Sequence, residues 1–519
     1  MSKSVSLRSM DRQAYLEQAG VSEADWEQTP VSVKRLVEVL IERLEHQDQQ
    51  IQKMQSDIEW LKEKLTRDSS NSSLAPSSDK TKRSHPQRKK SGKKRGGQSG
   101  HELHTRPLYG VEDCESVKDY YPPECWKCGL PLNHEAGEPY RHQIVEIPII
   151  VPQVKEYRLH QCVCEGCNAL TRATLPEEVS AKGYGPRVVA TVGVLSAMYR
   201  QSQRMVQEGM SSLFGVKLSL GSINNLRHES SNAVAASVTA AQEYVQRSEV
   251  VGADETGFSQ GNNDGNNPTR RKAWLWIAVT PLVTFFQITL SRSQASAQSL
   301  LGATFSGNLI TDRHGAYTWV EIVRRQICWA HLKRDFIQIA ERSGVSKLLG
   351  EDLLKQKTLL FELWHRFREG NMTRCEFITE VEPLRLRVKA LLTEGAAYPI
   401  AHRENSPLAK TVRTCRRLLN LEPAMWLFVT VDGVEPTNND SERGIRPAVI
   451  WRRLSFGSQT QAGSLFVSRM LTVVASLRAQ KRNVLEYMTQ SVQAARDGNS
   501  PPSLLPHTTS DISKSVTYL

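Results

Sequence analysis

The sequence is poor in cysteine, with nine in 519 residues, too few for a disulfide framework to hold a chain of this length. It has no uninterrupted apolar run of the ~20 residues that a membrane span needs. The longest apolar stretch, Ala273 to Leu290, is broken by Thr280-Pro281 and carries Gln287, so two buried strands joined by a turn fit it better. The segment Met1 to Gly20 is polar, and no signal peptide is expected. Acidic charge is in deficit: 55 Asp+Glu against 67 Lys+Arg leave a net charge of +12. This excludes an acidic solvating chain and favours a polyanionic partner. The expectation is a multidomain cytoplasmic protein with no membrane partner.

What is present is arranged in blocks. Val37, Leu40, Leu44, Gln47, Ile51, Met54, Ile58, Leu61 and Leu65 step by three and four, and all but Gln47 are apolar. Such heptads predict a self-associating coiled coil over 31–67, and hence a homo-oligomer, with Gln47 available to set register. A linker rich in Ser, Asn and Pro follows, and then a basic run. Lys80, Lys82, Arg83, Arg88, Lys89, Lys90, Lys93, Lys94 and Arg95 are interrupted by no acid. Residues 68–106 therefore read as a disordered arm that lies along phosphates by counterion release, without reading bases.

Five of the nine cysteines sit between 125 and 167. Cys125-x2-Cys128 and Cys164-x2-Cys167 are two thiolate pairs of the kind that hold a structural zinc ion tetrahedrally, and they define a ribbon over 107–175. Cys162 could replace Cys164. The alternating stretches Gln143 to Val151 and Val154 to His160 are expected as its strands. His134, His142 and His160 are lesser ligand candidates.

Residues 180–246 are helical in pattern. A helix opens at Gly185-Pro186, a second runs from Gln203 to Leu213, Phe214-Gly215-Val216 turns, and Ser219 caps a third from Leu220 to Glu229. This fits a helix-turn-helix with Asn224 and Arg227 on the reading element, although such turns also occur in helical domains that bind no DNA. Strands are then expected at Val250–Phe258, Ala273–Val279, Val283–Thr289, Asn308–Asp312 and Gln326–Trp329, with a helix at Ser293–Leu301. A meander, a crossover helix and a further strand build a ribonuclease-H-like sheet.

Two of these strands deliver carboxylates: Asp254 on the first and Asp312 at the end of the fourth. Glu442 opens a later helical segment. Three converging carboxylates can hold two divalent cations, and hard oxygen ligands suit Mg2+ or Mn2+. Glu255 and Asp440 compete for the roles of Asp254 and Glu442. Arg443, Arg446, Arg452, Arg453 and Arg469 are either phosphate clamps or helix-surface charge.

Six motifs occur in order: Asn71-Ser-Ser-Leu-Ala-Pro-Ser-Ser-Asp79, the two CxxC pairs, Asp254-Glu-Thr, Asp312 with Gly315 and Tyr317, Cys328-Trp-Ala-His-Leu-Lys-Arg-Asp-Phe336, and Asn438-Asn-Asp-Ser-Glu-Arg-Gly-Ile-Arg-Pro447. Together they closely resemble the transposases of the insertion sequence 66 family, over roughly residues 31 to 490. The resemblance implies a multidomain α+β chain: coiled coil, zinc ribbon, helix-turn-helix region and ribonuclease-H-like α/β core. That core would span 247–340 and 431–490, split by a helical insertion at 341–430, with a tail at 491–519. The resemblance assigns the DDE roles to Asp254, Asp312 and Glu442, and Trp329 and His331 match its Cys-Trp-Ala-His motif. Gly257 departs from the family's frequent proline, and Arg313-His314 from its more usual Gly-Tyr.

The activity implied is metal-dependent cleavage at insertion-sequence ends and transfer of the freed 3′-hydroxyls into target DNA. The partners implied are terminal inverted repeats, target DNA and accessory proteins of the same element. Two rival functions use many of the same parts: a non-catalytic DNA-binding regulator and a stand-alone ribonuclease-H-like nuclease.

Overall fold

The structure is a computed structural model describing residues 20–37, 106–132 and 137–506, with scattered positions between 39 and 58. The chain divides into two units, 1–86 and 87–519. In the first, a short helix Glu23–Gln28 is capped by the Ser22 side chain, and the described residues between 31 and 58 are helical. The seam positions Leu40, Ile51, Met54 and Ile58 are all exposed. Leu44, Leu61, Leu65 and the basic run Lys89, Lys90, Lys93, Lys94 and Arg95 lie outside the described residues.

The second unit begins with the cysteine pairs. β1 (Gln161–Val163) and β2 (Leu170–Arg172) form an antiparallel hairpin. The strands expected at 143–151 and 154–160 do not form, because residues 141–160 enter no strand pairing. Pro148 and Pro152 remove two ladder donors, and Ile144, Ile147, Ile149 and Val154 stay exposed.

Four helices follow: α1 (Pro186–Ala197), α2 (Gln203–Phe214), α3 (Leu220–Ala233) and α4 (Ala235–Gln246). Gly215 ends α2 in the left-handed conformation, φ 67°, where a side chain would be strained. Val189, Val192, Val206, Met210, Ile223 and Leu226 bury one face each of the first three helices into a common core.

The sheet comes next: β3 (Val250–Phe258), β4 (Ala273–Val279), β5 (Thr284–Thr289), β6 (Asn308–Thr311) and β7 (Arg325–Ile327), with α5 (Gln294–Leu301) crossing from β5 to β6. The spatial order is β5-β4-β3-β6-β7. β3, β4 and β5 are antiparallel, and β6 and β7 run parallel to β3. The central strand β3 thus carries a parallel neighbour on one side and an antiparallel one on the other. Because a parallel neighbour ends on the same side, Asp254 and Asp312 reach the same end of the sheet.

After β7 come α6 (Trp329–Ala340), α7 (Val345–Arg368), α8 (Arg374–Ala397) and α9 (Pro407–Leu419), then α10 (Asn439–Ser455), α11 (Gln461–Ala479) and α12 (Val484–Arg496). Helices α6 to α9 share a core of their own, which includes Trp329, Leu353, Phe377 and Phe428. Helix α11 is long and apolar enough to cross a membrane, but it is largely buried against the sheet. Its Thr472 and Ser476 hydroxyls accept from the Phe286 and Thr284 amides at 3.0 and 3.1 Å. They satisfy the outer edge of β5, which would otherwise be open to another strand.

Candidate functional site

Pleating decides which acid of the Asp254-Glu255 pair faces where, since neighbours on a strand point to opposite faces. Asp254 lies opposite Ile277 of β4, on the face covered by α10. Its carboxylate accepts the Glu255 amide at 2.8 Å. Glu255 turns the other way and its side chain is 1 % exposed. One of its oxygens takes Arg292 Nε and Nη2 at 2.9 and 2.6 Å, and the other takes the Tyr317 hydroxyl at 2.5 Å. With both oxygens engaged, Glu255 is a buried ion-pair partner, whereas Asp254 lies on the face covered by α10.

Asp312 follows β6 directly and accepts the His314 amide at 2.8 Å. Arg313 turns away onto Asp335 of α6 at 2.5 Å. Asp312, Arg313, His314, His331, Arg417 and Asn420 line one open cavity of about 460 Å³.

Glu442 stands in the first turn of α10. Asn438, 3 % exposed, straps that turn to the sheet. Its Nδ2 donates to the carbonyl of Ala253, the residue before Asp254, at 2.8 Å, and its amide donates to Cys328 Sγ at 3.2 Å. The close approach needs Gly252, where a Cβ would fall 2.5 Å from Ser441 Oγ. Asp440 is exposed and bonded to Arg443, so it does not share the cleft. Glu442 Oε1 lies 3.8 Å from His331 Nδ1, a buried atom without a hydrogen-bond partner.

Two of the three acids are held toward their neutral forms. Burial pushes Asp254 up to about 8, with Glu255, Asp312 and Glu442 adding repulsion. Burial also raises Glu442, assisted by Asp312 and opposed by Arg334 and Arg446. Burial drives His331 down to about 4, and Arg334 and Arg313 reinforce this.

Without metal, native Asp254 holds its proton up to about pH 8, whereas an unfolded aspartate loses it near pH 4. The native state therefore binds more protons across that window, and stability falls as pH rises through it. Melting in chelator should show a decline from about pH 5 to 8 that Asp254→Asn flattens. An equal decline in the variant would place the titration elsewhere.

The two cysteine pairs adopt the same turn. Cys125 N–H donates to Leu130 O at 2.9 Å and Gly129 N–H to Cys125 O at 2.9 Å. Cys164 N–H donates to Ala169 O at 2.9 Å and Asn168 N–H to Cys164 O at 2.8 Å. Gly129 and Asn168 are left-handed at matching places. Backbone donors in these turns, led by the Lys127 amide at Cys125 and the Cys167 amide at Cys164, together with the second cysteine of each pair, lower both thiols. Cys162 lies on β1 opposite Thr171, outside the turn. Among the described residues the set of three ligand atoms lying within 4.8 Å of one another is Cys328, His331 and Glu442, so the two cysteine turns are formed but stand apart.

The expected DNA-reading residues divide. Asn224 is exposed on α3. Arg227 is not available: its guanidinium lies 4.3 Å over the Phe466 ring of α11, and its Nε is buried without a partner. The reading is corrected because α11 covers that side of α3. Arg469 likewise turns inward, onto Ser231 and Asn232. Arg443 and Arg446 are exposed beside Glu442. Sequence reasoning missed Asn438, Arg292 and Arg334. Asn438 and Arg334 fall inside the motifs Asn438 to Pro447 and Cys328 to Phe336, whereas nothing local marked Arg292.

The family described as "Transposase IS66 family" matches residues 184–465, which takes in α1 to α10, the sheet and all three acids. A family of unknown function (DUF6444) matches residues 27–107. A curated relative, described as uncharacterized protein y4qI of Sinorhizobium fredii (strain NBRC 101917 / NGR234), is 24 % identical over 279 residues. The match covers 49 % of this chain and 49 % of the relative, so the chain spans about half the length of the curated relative it matches.

Proposed function

The chain belongs to the insertion sequence 66 family of transposases, and from that premise we propose that it cleaves DNA at element ends and joins the freed 3′-hydroxyls to target DNA in a ribonuclease-H-like DDE core. The observation that carries this reading is the gathering of Asp254, Asp312 and Glu442 from two strands and a helix, where burial first, and then repulsion from Asp312, raises the proton affinity of Asp254 and Glu442. Carboxylates gathered at such cost are stabilised by cations. Three carboxylates suit two Mg2+ or Mn2+ ions about 4 Å apart. When bound, the ions would activate water or a 3′-hydroxyl and stabilise the leaving oxygen.

The chain's own contribution is placement. Asn438 holds Glu442 against β3, and the His314 amide orients Asp312. The exposed Asn224 on α3, Arg443, Arg446 and the basic arm with Lys89, Lys90, Lys93, Lys94 and Arg95 would contact DNA. The exposed apolar seam of the N-terminal helix favours pairing with a second copy.

The donor chemistry of Cys125, Cys128, Cys164 and Cys167 fits one structural Zn2+: four sulfurs on two matching turns, with the first thiol of each lowered toward thiolate. The shared turn favours Cys164 over Cys162. Changing Cys125 and Cys128 to Ser should reduce bound zinc from about one per chain to none, measured by atomic absorption. Full retention would remove the site.

The test of function is strand cleavage and joining with the element's own ends, with Mg2+ or Mn2+ and with accessory proteins supplied. Joined products support the transposase. Cleavage without joining favours the stand-alone nuclease. Binding with neither favours the regulator.

A further inference from the structure

We infer that Cys328, His331 and Glu442 form a binding site for one zinc-class cation, an ion softer than those proposed for the three carboxylates, and that its occupancy draws Glu442 away from Asp254 and Asp312. The binding stands on geometry, and its inhibitory consequence rests on the transposase reading above. One ligand atom from each of the three side chains lies within 4.8 Å of the other two. Bonds of about 2.0–2.3 Å around a tetrahedral zinc ion set its ligands roughly 3.3–3.8 Å apart. His331 Nδ1 and Glu442 Oε1, at 3.8 Å, already span one such edge. That separation is too long for a hydrogen bond. His331 Nδ1 is buried and has no hydrogen-bond partner, so the ring nitrogen facing Glu442 is left unanswered by the protein itself.

Backbone contacts hold the three groups together. Cys328 is the N-cap of α6, and its amide donates to the Thr311 carbonyl at 2.9 Å, beside Asp312. His331 is three residues on, and its amide donates to the Cys328 carbonyl at 3.0 Å, so the two side chains rise from the same helix face. Two bonds bring the start of α10 to the same place. Trp329 N–H donates to Pro436 O at 2.9 Å, and Asn438 N–H donates to Cys328 Sγ at 3.2 Å. The sulfur thus has an outer-shell donor of the kind that supports a metal-bound thiolate, at a helix N-terminus that favours negative charge.

The donor set selects the ion. Thiolate sulfur, imidazole nitrogen and a carboxylate oxygen suit Zn2+, whereas Mg2+ takes oxygen. A thiolate and a carboxylate together balance a divalent charge. Three protein ligands leave a fourth position open, and His331 lines the same open cavity of about 460 Å³ as Asp312, which gives an ion a way in. Cys328 is fully buried, whereas the His331 and Glu442 side chains are 28 % and 38 % exposed. Loading has costs: the buried thiol must give up its proton, and the cations Arg334 and Arg313 act on His331. The site is therefore exchangeable, emptied by dialysis that leaves the four ribbon cysteines loaded. A carboxylate turned onto this ion no longer faces the hard ions of the cleft.

Full-length protein with its ribbon cysteines loaded with Zn2+ would be titrated with Co2+, which reports sulfur ligation by a near-ultraviolet charge-transfer band. Wild type should gain a band that saturates near about one Co2+ per chain. Cys328→Ser should lack it. His331→Gln, which keeps the sulfur, should need at least about 10-fold more Co2+ to develop it, the loss that even an outer-shell change brings. No band in wild type, or an equal one in a Cys328→Ser protein that melts like wild type, would overturn the site. In strand cleavage at saturating Mg2+, added Zn2+ should inhibit wild type, and His331→Gln should need at least about 10-fold more Zn2+ to halve its own zinc-free rate. Equal inhibition of both would overturn the link to Glu442. If the band appears but wild type never cuts, the transposase reading fails and the metal site stands. If wild type cuts but no band forms, this inference alone fails.

Discussion

Converting Asp254 or Asp312 to asparagine, or Glu442 to glutamine, should abolish cleavage and joining while leaving DNA binding near wild type. Each amide keeps the shape of the side chain and removes the charge that a divalent cation needs. Loss of metal-borne charge stabilisation is worth several kcal/mol, so a rate loss of at least about 10³-fold is expected. The three losses should not add, because residues acting as one unit fail together. The parallel Glu255→Gln variant separates site from neighbourhood. Glu255 sits beside Asp254 in sequence but is taken up by Arg292 and Tyr317, so it should retain activity far above the three. Equal loss in all four would mean that the buried pair, not the carboxylate cluster, governs turnover. Strand joining measured at matched DNA occupancy decides between them.

Trp329→Ala should be the most destabilising single change near the cleft. Trp329 is 0 % exposed, its indole N–H donates to Met425 O at 2.8 Å, and its ring packs edge-on against Phe336 and Trp426, with centroids at 6.3 and 5.1 Å. Truncation leaves a cavity in the helical core and removes one of the two donors to the Met425 carbonyl, the other being Gln326 Nε2 at 3.1 Å. The expected cost is about 3–5 kcal/mol, seen as a fall in Tm of roughly 5–10 °C. Trp329 also starts the helix that carries His331, so activity should fall with the fold and not independently of it. A variant with wild-type Tm but no DNA binding would instead make this tryptophan a DNA contact.

Much of the core was legible because its signals are local. The buried Val251 and Ala253 alternate with Gly252 and Asp254, so β3 and its acid can be read from period and side-chain type. Turn chemistry at Gly215 and the cap at Ser219 likewise depend on a few adjacent residues. The stretch from 141 to 160 shows where local pattern misleads. Its alternation suggests strands, but a strand exists only when another supplies its ladder, and Pro148 and Pro152 interrupt the donors it would offer.

The sequence by itself determined the order of the helices and sheet strands from 180 onward, the two cysteine turns and the elements that carry the three carboxylates, because short-range periodicity and spacing encode these. Tertiary structure alone decided the rest. Whether Asp254 or Glu255 enters the cleft depends on which face of β3 receives α10. Whether Arg227 reads DNA or packs on Phe466 depends on a helix more than two hundred residues downstream. Asn438 becomes a strap only when its amide meets the Ala253 carbonyl. These are contacts between segments far apart in the chain, and no local pattern carries the geometry that brings them together.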